Sequence, residues 1–232
     1  MKAVILCGGY GTRLAEETKK IPKPMVKIGN KPILIHIMNI YSKYGYNNFI
    51  LALGYKQNII RKYFKKNPKK NWNVKLVDTG HSTLTGKRLL KLKKFFNKNE
   101  DFFLTYGDGL SNLDLNTLLK FHKRLKKIAT VTAVRPPARF GELKIKKNTV
   151  SKFDEKNQIN SGWINGGFFV FNSKIFNFIP KSNTMLERDT MAKLTKKKKI
   201  VAFKHLGFWQ CMDNLRDKNL LNSIWKKNKK QW

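Results

Sequence analysis

The chain alternates between short apolar runs and longer segments in which apolar residues recur every three or four positions. The apolar runs predict buried strands, and the segments between them predict helices. The predicted strands cover residues 2–7, 49–53, 73–78, 102–106 and 130–134, and the predicted helices cover 32–44, 57–66, 86–96 and 114–126. This alternation indicates an α/β domain with a mostly parallel sheet.

After residue 139 the pattern changes, because short apolar segments follow one another closely. We expect strands in ELKIK, VSKF and INGGFFVF, a helix near 185–195, a strand at 200–204 and a last helix at 214–227. No repeat and no low-complexity linker separates the two parts of the sequence. The sequence therefore predicts a single domain over residues 1–232.

Composition adds an extreme charge to this picture. Hydrophobic residues make up 41% of the 232 positions, which is enough for a sizeable core. The net charge is +35, and most of the excess is scattered lysine. Scattered lysine is typical of a solvated surface, although so much charge also attracts nucleic acids and anionic membranes. The basic runs are short and lack interleaved aromatic residues, so we expect no specific nucleic-acid partner.

The two cysteines, Cys7 and Cys211, lie far apart in sequence. That spacing argues against a disulfide framework or a cysteine-based metal site. The N-terminus lacks a signal-peptide pattern, and no stretch has the length of a membrane span. We expect a soluble, cytoplasmic protein with free thiols.

Candidate chemistry lies after the strands, because ligands of parallel α/β sheets bind beyond the carboxyl ends of the strands. Gly8, Gly9 and Gly11 follow the first strand, and Arg13 comes next. Glycines there let backbone N–H groups approach a phosphate, and an arginine can clamp its oxygens. An ordinary glycine-rich turn is the alternative. The pattern has neither the ending of a P-loop nor the spacing of a dinucleotide fingerprint, and a proline-broken segment follows where the latter needs a helix.

Lys23 lies between Pro22 and Pro24. The prolines restrict the backbone on both sides. The lysine is thereby held on a stiff loop, which favours a phosphate contact over an ordinary solvated side chain.

Two acidic residues are candidate metal ligands. Asp108 follows the strand at 102–106 between two glycines, and Asp213 precedes the last predicted helix. Carboxylates so placed suit a hard cation such as Mg²⁺ that also contacts substrate phosphates. The alternatives are an Asp-Gly turn at Asp108 and a helix N-cap at Asp213. The polar stretch at 78–88 can contact a base or ribose, or can simply be a loop with a helix cap.

Several motifs in order along the chain carry a resemblance to a known family. They are GGYGTRLAEET, PKPMVKIGNKPILIHIM, YGDG, VTAVRPPARFG, WINGGFFVF and GFWQCMDNLRDK. Together they resemble the glucose-1-phosphate cytidylyltransferases of the sugar nucleotidyltransferase superfamily. The resemblance implies a Rossmann-like nucleotidyltransferase fold with a mixed, mostly parallel central sheet flanked by helices. It also implies a nucleotide-binding half at 1–139 and a sugar-phosphate-binding half at 140–232.

The resemblance implies a role for each matching residue. Arg13 and Lys23 would be catalytic, and Asp108 and Asp213 would hold Mg²⁺. The implied nucleotide-binding residues are Leu6, Cys7, Gly8, Gly9, Tyr10, Gly11, Thr12, Arg13, Lys23, Thr83, Arg88 and Gly107, and the implied sugar-phosphate-binding residues are Gly141, Glu155, Lys156 and Asn165.

The implied reaction transfers a nucleotidyl group, with CTP favoured, to a sugar 1-phosphate, with glucose 1-phosphate favoured. The products would be pyrophosphate and CDP-glucose for surface polysaccharide such as lipopolysaccharide O-antigen. The same reaction with another base or sugar is one alternative, and a non-enzymatic polyanion-binding protein on this fold is the other. A homo-oligomer is expected.

The chain departs from the family pattern at several points. It has IPKPM where relatives have KPKPM, Cys7 for Ala, Cys211 for Pro, and no proline after Lys156. The stretch between Lys65 and Val74 is about twenty residues shorter than in the family, as judged from the motif register. Because this stretch precedes the base-side loop, base preference and assembly stay open.

The cysteines lead to one further expectation. Cys7 ends the first strand and should be buried and inert. Cys211 lies two residues before Asp213 and should be partly accessible near the same cleft, with nearby basic residues favouring its thiolate.

Overall fold

A computed structural model describes residues 1–136, 142–154, 162–227 and 231–232. Its strands are β1 (Lys2–Cys7), β2 (Lys27–Ile28), β3 (Lys31–Pro32), β4 (Asn48–Leu53), β5 (Asn73–Asp78), β6 (Asp101–Tyr106), β7 (Gly109–Ser111), β8 (Ala129–Val134), β9 (Glu142–Lys146), β10 (Thr149–Asp154), β11 (Ile164–Asn172), β12 (Ile200–His205) and β13 (Trp209–Cys211). Its α-helices are α1 (Ala15–Thr18), α2 (Ile33–Ser42), α3 (Gln57–Lys66), α4 (Thr85–Leu90), α5 (Leu115–Leu125), α6 (Met191–Lys196) and α7 (Leu215–Lys226).

Seven strands form one central sheet in the order β12-β8-β11-β6-β1-β4-β5. The pairs β1–β4, β1–β6, β4–β5 and β8–β12 are parallel. β11 runs antiparallel to both of its neighbours, β6 and β8. The predicted fold class, a mixed and mostly parallel sheet flanked by helices, is confirmed. The functional division of the domain at residue 139 stays a prediction.

The apolar runs of the sequence become the middle layer of the fold. In β1, Ala3 and Ile5 face one hydrophobic cluster, while Val4 and Leu6 face another on the opposite side of the sheet. This period of two explains why β1 is apolar throughout: a strand with helices on both faces has no solvent side. Residues of α2, α3, α5 and α7 line the first cluster, and residues of α4 and α6 line the second.

The structure differs from the predicted elements in three places. Directly after the glycine-rich loop, where no helix was expected, the chain forms the 3₁₀ turn Thr12–Leu14 and then α1. The helix predicted at 86–96 stops at Leu90 and continues only as a 3₁₀ turn, Lys93–Phe95. Beyond it, the Phe96 ring packs against Phe102 with the centroids 4.2 Å apart. The third difference is the two-stranded ladders β2–β3 and β7–β13, which are too short to produce a sequence period.

Candidate active site

A cleft of about 550 Å³ opens at the carboxyl ends of β1 and β6. A cavity of this size is typical of a small-molecule site. The cleft is lined by every predicted site residue whose placement the structure describes: Leu6, Cys7, Gly8, Gly9, Tyr10, Gly11, Thr12, Arg13, Lys23, Thr83, Arg88, Gly107, Asp108, Asn165 and Asp213. The predicted sugar-phosphate residues Gly141, Glu155 and Lys156 lie outside the described residues. The roles of all these residues stay predictions, but their common location is now a structural fact.

The glycine-rich loop after β1 depends on its glycines at two points. A Cβ atom on Gly8 would lie 2.0 Å from Nη1 of Arg88, because the loop backbone passes directly over the guanidinium. Gly11 has a φ of 67°, in the left-handed region that favours glycine. The Gly11 carbonyl accepts hydrogen bonds from the backbone N–H of Leu14 at 2.9 Å and from Oγ1 of Thr18 at 3.1 Å. These bonds fix the exit of the loop into the helical turns.

Four charged side chains meet on one side of the cleft. Nζ of Lys23 donates to Oδ2 of Asp108 at 2.6 Å and to Oδ1 of Asp213 at 2.9 Å. Nη1 of Arg13 donates to the other oxygen of Asp213, Oδ2, at 2.7 Å. The Lys23 side chain is 12% exposed, whereas that of Arg13 is 74% exposed. Lys23 is therefore part of the buried floor of the cleft, whereas Arg13 lies at the solvent-exposed side of the cleft.

The small β7–β13 ladder brings the two carboxylates together. In this ladder Gly109 lies opposite Cys211, and the backbone N–H of Met212 donates to the carbonyl of Asp108 at 2.8 Å. Asp108 and Asp213, distant in sequence, are thus held at adjacent ends of two paired strands.

The helix-cap alternative for Asp213 is wrong. Asn214 is the N-cap of α7, and its side chain accepts a hydrogen bond from the backbone N–H of Asp217 at 3.0 Å. Asp217 in turn accepts from the N–H of Asp213 at 2.9 Å. The Asp213 carboxylate is therefore available to Lys23 and Arg13 rather than to the helix end.

Lys23 is held by its backbone as well as by its partners. It opens the 3₁₀ turn Lys23–Met25 after Pro22, and the N–H of Val26 donates to its carbonyl at 3.1 Å. Burial lowers the pKa of the Lys23 ammonium, but the charges and hydrogen bonds of Asp108 and Asp213 outweigh burial and raise that pKa above its usual value. Lys23 is accordingly a cation throughout the neutral pH range.

Where the ends of β4 and β5 meet the cleft, Arg88 is buried, only 3% exposed, and bonds to several segments at once. Its guanidinium donates to the carbonyls of Leu53 at 2.7 Å and Thr83 at 2.7 Å, and also to those of Gly80 and Gly8 at 3.1 and 3.2 Å. Burial lowers the pKa of this guanidinium. These bonds join the loop after β1 to the ends of β4 and β5. The nucleotide contact inferred for Arg88 stays a prediction, beside this visible role in shaping the loop.

The polar loop that follows β5 closes over the outer end of the glycine-rich loop. The Tyr10 hydroxyl lies 3.1 Å from Nδ1 of His81 and 3.1 Å from Oγ of Ser82. The Tyr10 ring packs against the rings of Tyr55 and His81. A cleft wall of this kind, aromatic and hydroxyl-bearing, suits a base or a ribose.

Behind the cleft-lining residues Thr85 and Tyr106, the structure shows a carboxylate that the sequence analysis missed. Glu187 accepts hydrogen bonds from the hydroxyls of Tyr106 at 2.5 Å and Thr85 at 2.7 Å. Nδ2 of Asn165, a predicted sugar-side residue, donates to the Tyr106 hydroxyl at 3.4 Å. Burial and the charge of Glu187 raise the pKa of Tyr106. The one available signal was that Glu187 is one of only 14 acidic residues in the chain.

Comparison with known proteins shows which family this chain belongs to. The family model described as "Nucleotidyl transferase" matches residues 2–217. Glucose-1-phosphate cytidylyltransferase of Salmonella typhimurium is 44% identical over 253 residues, covering 100% of this chain and 98% of that protein. The chain belongs to the glucose-1-phosphate cytidylyltransferase family. The predicted family is thereby confirmed.

Other relatives are similar to this cytidylyltransferase family member in sequence or in fold. A probable glucose-1-phosphate cytidylyltransferase of Bacillus subtilis is 40% identical over 100% of this chain and 99% of its own length. A solved structure of HddC from Yersinia pseudotuberculosis, complexed with GMP-PN, has a TM-score of 0.77 at 26% identity and covers 97% of this chain and 99% of that one. A UDP-glucose pyrophosphorylase at 18% identity and TM-score 0.75 shares the fold.

The comparison also bears on the shortened segment. The alignment with the Salmonella cytidylyltransferase runs over 253 residues, whereas this chain has 232. Gaps in this chain account for the difference, in agreement with a family member that lacks a segment. That the loss lies between Lys65 and Val74 stays a prediction, and in the structure α3 ends at Lys66 while β5 begins at Asn73.

The charged cluster fits the divalent metal that nucleotidyltransferases of this family generally use. Asp108 and Asp213 both present oxygen donors toward one point, the Nζ atom of Lys23. Among the described residues no group of three or more His, Cys, Asp and Glu side chains could hold a metal without help. Two carboxylates completed by substrate phosphates are the donor set typical of Mg²⁺.

The cysteine expectations are confirmed in part. Cys7 is 1% exposed, and both thiols lie in the cleft. The expectation that basic neighbours favour the thiolate of Cys211 is wrong. Burial, followed by the charges of Asp213 and Asp108, raises the pKa of that thiol to about 12. The charge of Lys23 lowers this pKa, but by less than the carboxylates raise it.

In the ranges that the structure describes, no helix is long and apolar enough to cross a bilayer.

Proposed function

We propose that the protein transfers the cytidylyl group of CTP to glucose 1-phosphate, which gives CDP-glucose and pyrophosphate. The observation that carries the proposal is the meeting of Lys23, Arg13, Asp108 and Asp213 beside the glycine-rich loop in one cleft. It is supported by 44% identity over the full chain to a glucose-1-phosphate cytidylyltransferase.

The reaction needs alignment and charge neutralisation more than acid–base chemistry. An oxygen of the sugar phosphate attacks the α-phosphorus of CTP, a P–O bond forms there, and the bond to the departing pyrophosphate breaks in line. A phosphate monoester loses its second proton at about pH 6, so near neutral pH the nucleophile is mostly a dianion that needs no general base. The barrier lies in bringing two anions together and stabilising the leaving group.

The chain's own cations meet that need from two sides. Lys23 is braced in the floor, so its ammonium can bind phosphate oxygens of the nucleotide without backbone movement. Arg13 is 74% exposed, so its guanidinium can turn onto the triphosphate when it enters. The N–H groups of the loop from Gly8 to Gly11 supply donors for the same phosphates. Thr83 and Gly107 would contact the nucleoside, and Asn165 the sugar.

Mg²⁺ is the metal we propose for Asp108 and Asp213. When bound together with phosphate oxygens, it neutralises charge on the triphosphate. The two carboxylates also hold the Lys23 ammonium in place within the cleft.

The setting follows from the substrates. CTP and sugar phosphates are made in the cytoplasm, so we place the reaction there. CDP-glucose is an activated sugar, and we propose that it supplies surface polysaccharide synthesis. We also propose that the protein acts as a homo-oligomer.

The test is pyrophosphate release measured for four nucleoside triphosphates, each with several sugar 1-phosphates and Mg²⁺. We expect CTP with glucose 1-phosphate to give the highest kcat/KM. A higher value for dTTP, UTP or GTP would keep the reaction and change the base. No release above background with any pair would contradict the enzymatic proposal and leave a polyanion-binding protein on this fold.

A further inference from the structure

The Lys23 ammonium occupies the point at which the two proposed metal ligands converge. It lies 2.6 Å from Oδ2 of Asp108 and 2.9 Å from Oδ1 of Asp213, so a single cation bridges both carboxylates. All three side chains are largely buried, with exposed fractions of 12% for Lys23, 24% for Asp108 and 17% for Asp213. Few water molecules can therefore weaken this bridge.

The cluster as a whole is electrically neutral. Lys23 and Arg13 carry two positive charges, and Asp108 and Asp213 carry two negative charges. A divalent cation that approaches this cluster meets carboxylates whose charge is already balanced and whose oxygens are already hydrogen-bonded. Binding it requires the ammonium to leave or to share its partners.

The Lys23 side chain can move although its backbone cannot. Pro22 and Pro24 fix the backbone, and the 3₁₀ turn Lys23–Met25 adds hydrogen bonds on both sides of it. The flexible four-carbon stem of a lysine still allows its ammonium to swing to another anion nearby. A triphosphate in the same cleft is such an anion, and it carries more negative charge than the two carboxylates together.

We propose that Lys23 guards the metal site: its ammonium competes with the divalent cation for Asp108 and Asp213 until a triphosphate draws it away. The inference rests on the proposed function only in assigning these carboxylates to a metal. It makes metal affinity low in the free protein and high once nucleotide phosphates hold Lys23 and Arg13. The metal then enters together with the nucleotide, and Lys23 serves first as a gate and afterwards as a phosphate ligand.

The test measures binding of Mn²⁺ alone, without nucleotide, by electron paramagnetic resonance of the free ion. Lys23→Met removes the ammonium but keeps most of the side-chain volume. We expect the dissociation constant for Mn²⁺ to fall at least tenfold relative to the unaltered protein. A gain in affinity is informative because removing a residue that only supported the site would weaken Mn²⁺ binding.

Two further variants locate the effect. Lys27→Met removes the same charge from an exposed position on β2 and should leave Mn²⁺ affinity within about twofold, because water and salt screen a solvent-exposed charge. Lys23→Met combined with Asp108→Asn should lose the gained affinity. Thermal unfolding checks that each variant is folded, and Lys23→Gln replaces Lys23→Met if the latter is not.

The outcomes separate this proposal from the proposed function. Unchanged or weaker Mn²⁺ binding by a folded Lys23 variant would overturn the gate, even if the unaltered protein makes CDP-glucose. An equal gain in Lys27→Met would also overturn it, because net charge would then be the cause. If Lys23→Met binds Mn²⁺ more tightly but the unaltered protein makes no CDP-glucose, the gate is supported and the proposed function is contradicted.

Discussion

At the scale of single residues, the centre of the protein is a carboxylate pair held around a lysine. Within the described part of the chain, Asp108 pairs with Lys23 alone, whereas Asp213 pairs with both Lys23 and Arg13. Asp108 is therefore the simpler of the two acids to interpret when it is changed. Its charge can be removed while its shape and its backbone contact with Met212 are kept.

Asp108→Asn should lower turnover by about 100-fold or more, because a preorganised electrostatic contact is lost. Folding should change little, since Asn keeps the hydrogen-bonding shape of Asp. The measurements are pyrophosphate release at saturating Mg²⁺ and thermal unfolding of the variant.

Glu16→Gln provides the matched control for that change, because Glu16 is an exposed acid on α1. It should keep near-normal turnover. Near-normal turnover of Asp108→Asn in saturating Mg²⁺ would contradict the assignment of Asp108 as a metal ligand.

Cys211 should react slowly with a thiol reagent such as iodoacetamide, because the thiolate is the reactive form and the pKa of this thiol is raised to about 12. Far below that pKa the thiolate fraction rises tenfold per pH unit, so the labelling rate should still be rising between pH 8 and pH 9. Peptide mass spectrometry after labelling measures this rate and also reports on the buried Cys7.

Bound nucleotide with Mg²⁺ should protect Cys211, and its labelling should inactivate the enzyme. Labelling that is equally fast with and without ligand, or that leaves activity intact, would mean that Cys211 lies away from the bound substrate.

Single residues also show where sequence reasoning succeeds. The flanking prolines of Lys23 and the flanking glycines of Asp108 are local signals, and the structure brings both residues into the cleft. Glu187 and the hydrogen bonds of Arg88 depend on contacts between distant segments: Glu187 meets Thr85, and Arg88 meets the carbonyl of Gly8. No spacing rule in the sequence encodes those contacts.

At the scale of elements, the glycine-rich loop and the segment beneath it form one unit. The loop passes so close to Arg88 that a Cβ on Gly8 would overlap the guanidinium, whereas a Cβ on Gly9 would meet nothing within 4 Å. Two neighbouring glycines thus have different physical roles. The first makes room for a buried side chain, and the second is open toward the cleft.

Gly8→Ala should destabilise the protein by about 1–3 kcal/mol, the usual cost of forcing extra volume into a packed site. Arg88 must move, and several of its carbonyl contacts weaken with it. Chemical denaturation, at matched slope, measures the change in the free energy of unfolding.

Gly9→Ala is the paired control and should change the free energy of unfolding by less than about 0.5 kcal/mol. Equal stability of the two variants would contradict the close approach of the loop to Arg88.

Elements with a clear period could be predicted from the sequence. The strands β1 and β5 and the helix α3 have the predicted bounds, 2–7, 73–78 and 57–66. The β7–β13 ladder has three residues in each strand, too few for a period, although it positions both carboxylates. The part of the fold that brings the two carboxylates together was therefore the part that the sequence predicted least.

At the scale of the whole molecule, most of the positive charge lies outside the paired cluster in the cleft. The net charge is +35, and the cleft itself engages two cations with two carboxylates. The remaining lysines are scattered along the chain, as expected for a solvated surface. Such a surface attracts polyanions without selecting among them.

DNA binding should accordingly be weak and independent of sequence. Its affinity should fall at least tenfold between about 50 mM and 200 mM salt, because counterion release dominates such binding. Fluorescence anisotropy with two unrelated duplexes measures this. Tight binding to one duplex at physiological salt would instead favour a specific nucleic-acid partner.

The most direct measurement of the central claim follows the phosphorus atoms of CTP. The protein is incubated with glucose 1-phosphate, Mg²⁺ and CTP labelled with ³²P at either the α or the γ position. The α label should appear in CDP-glucose and the γ label in pyrophosphate, and both transfers should be about 100-fold slower or more in Asp108→Asn. Transfer of the γ label to the sugar phosphate, or no transfer of the α label from CTP, would contradict the central claim.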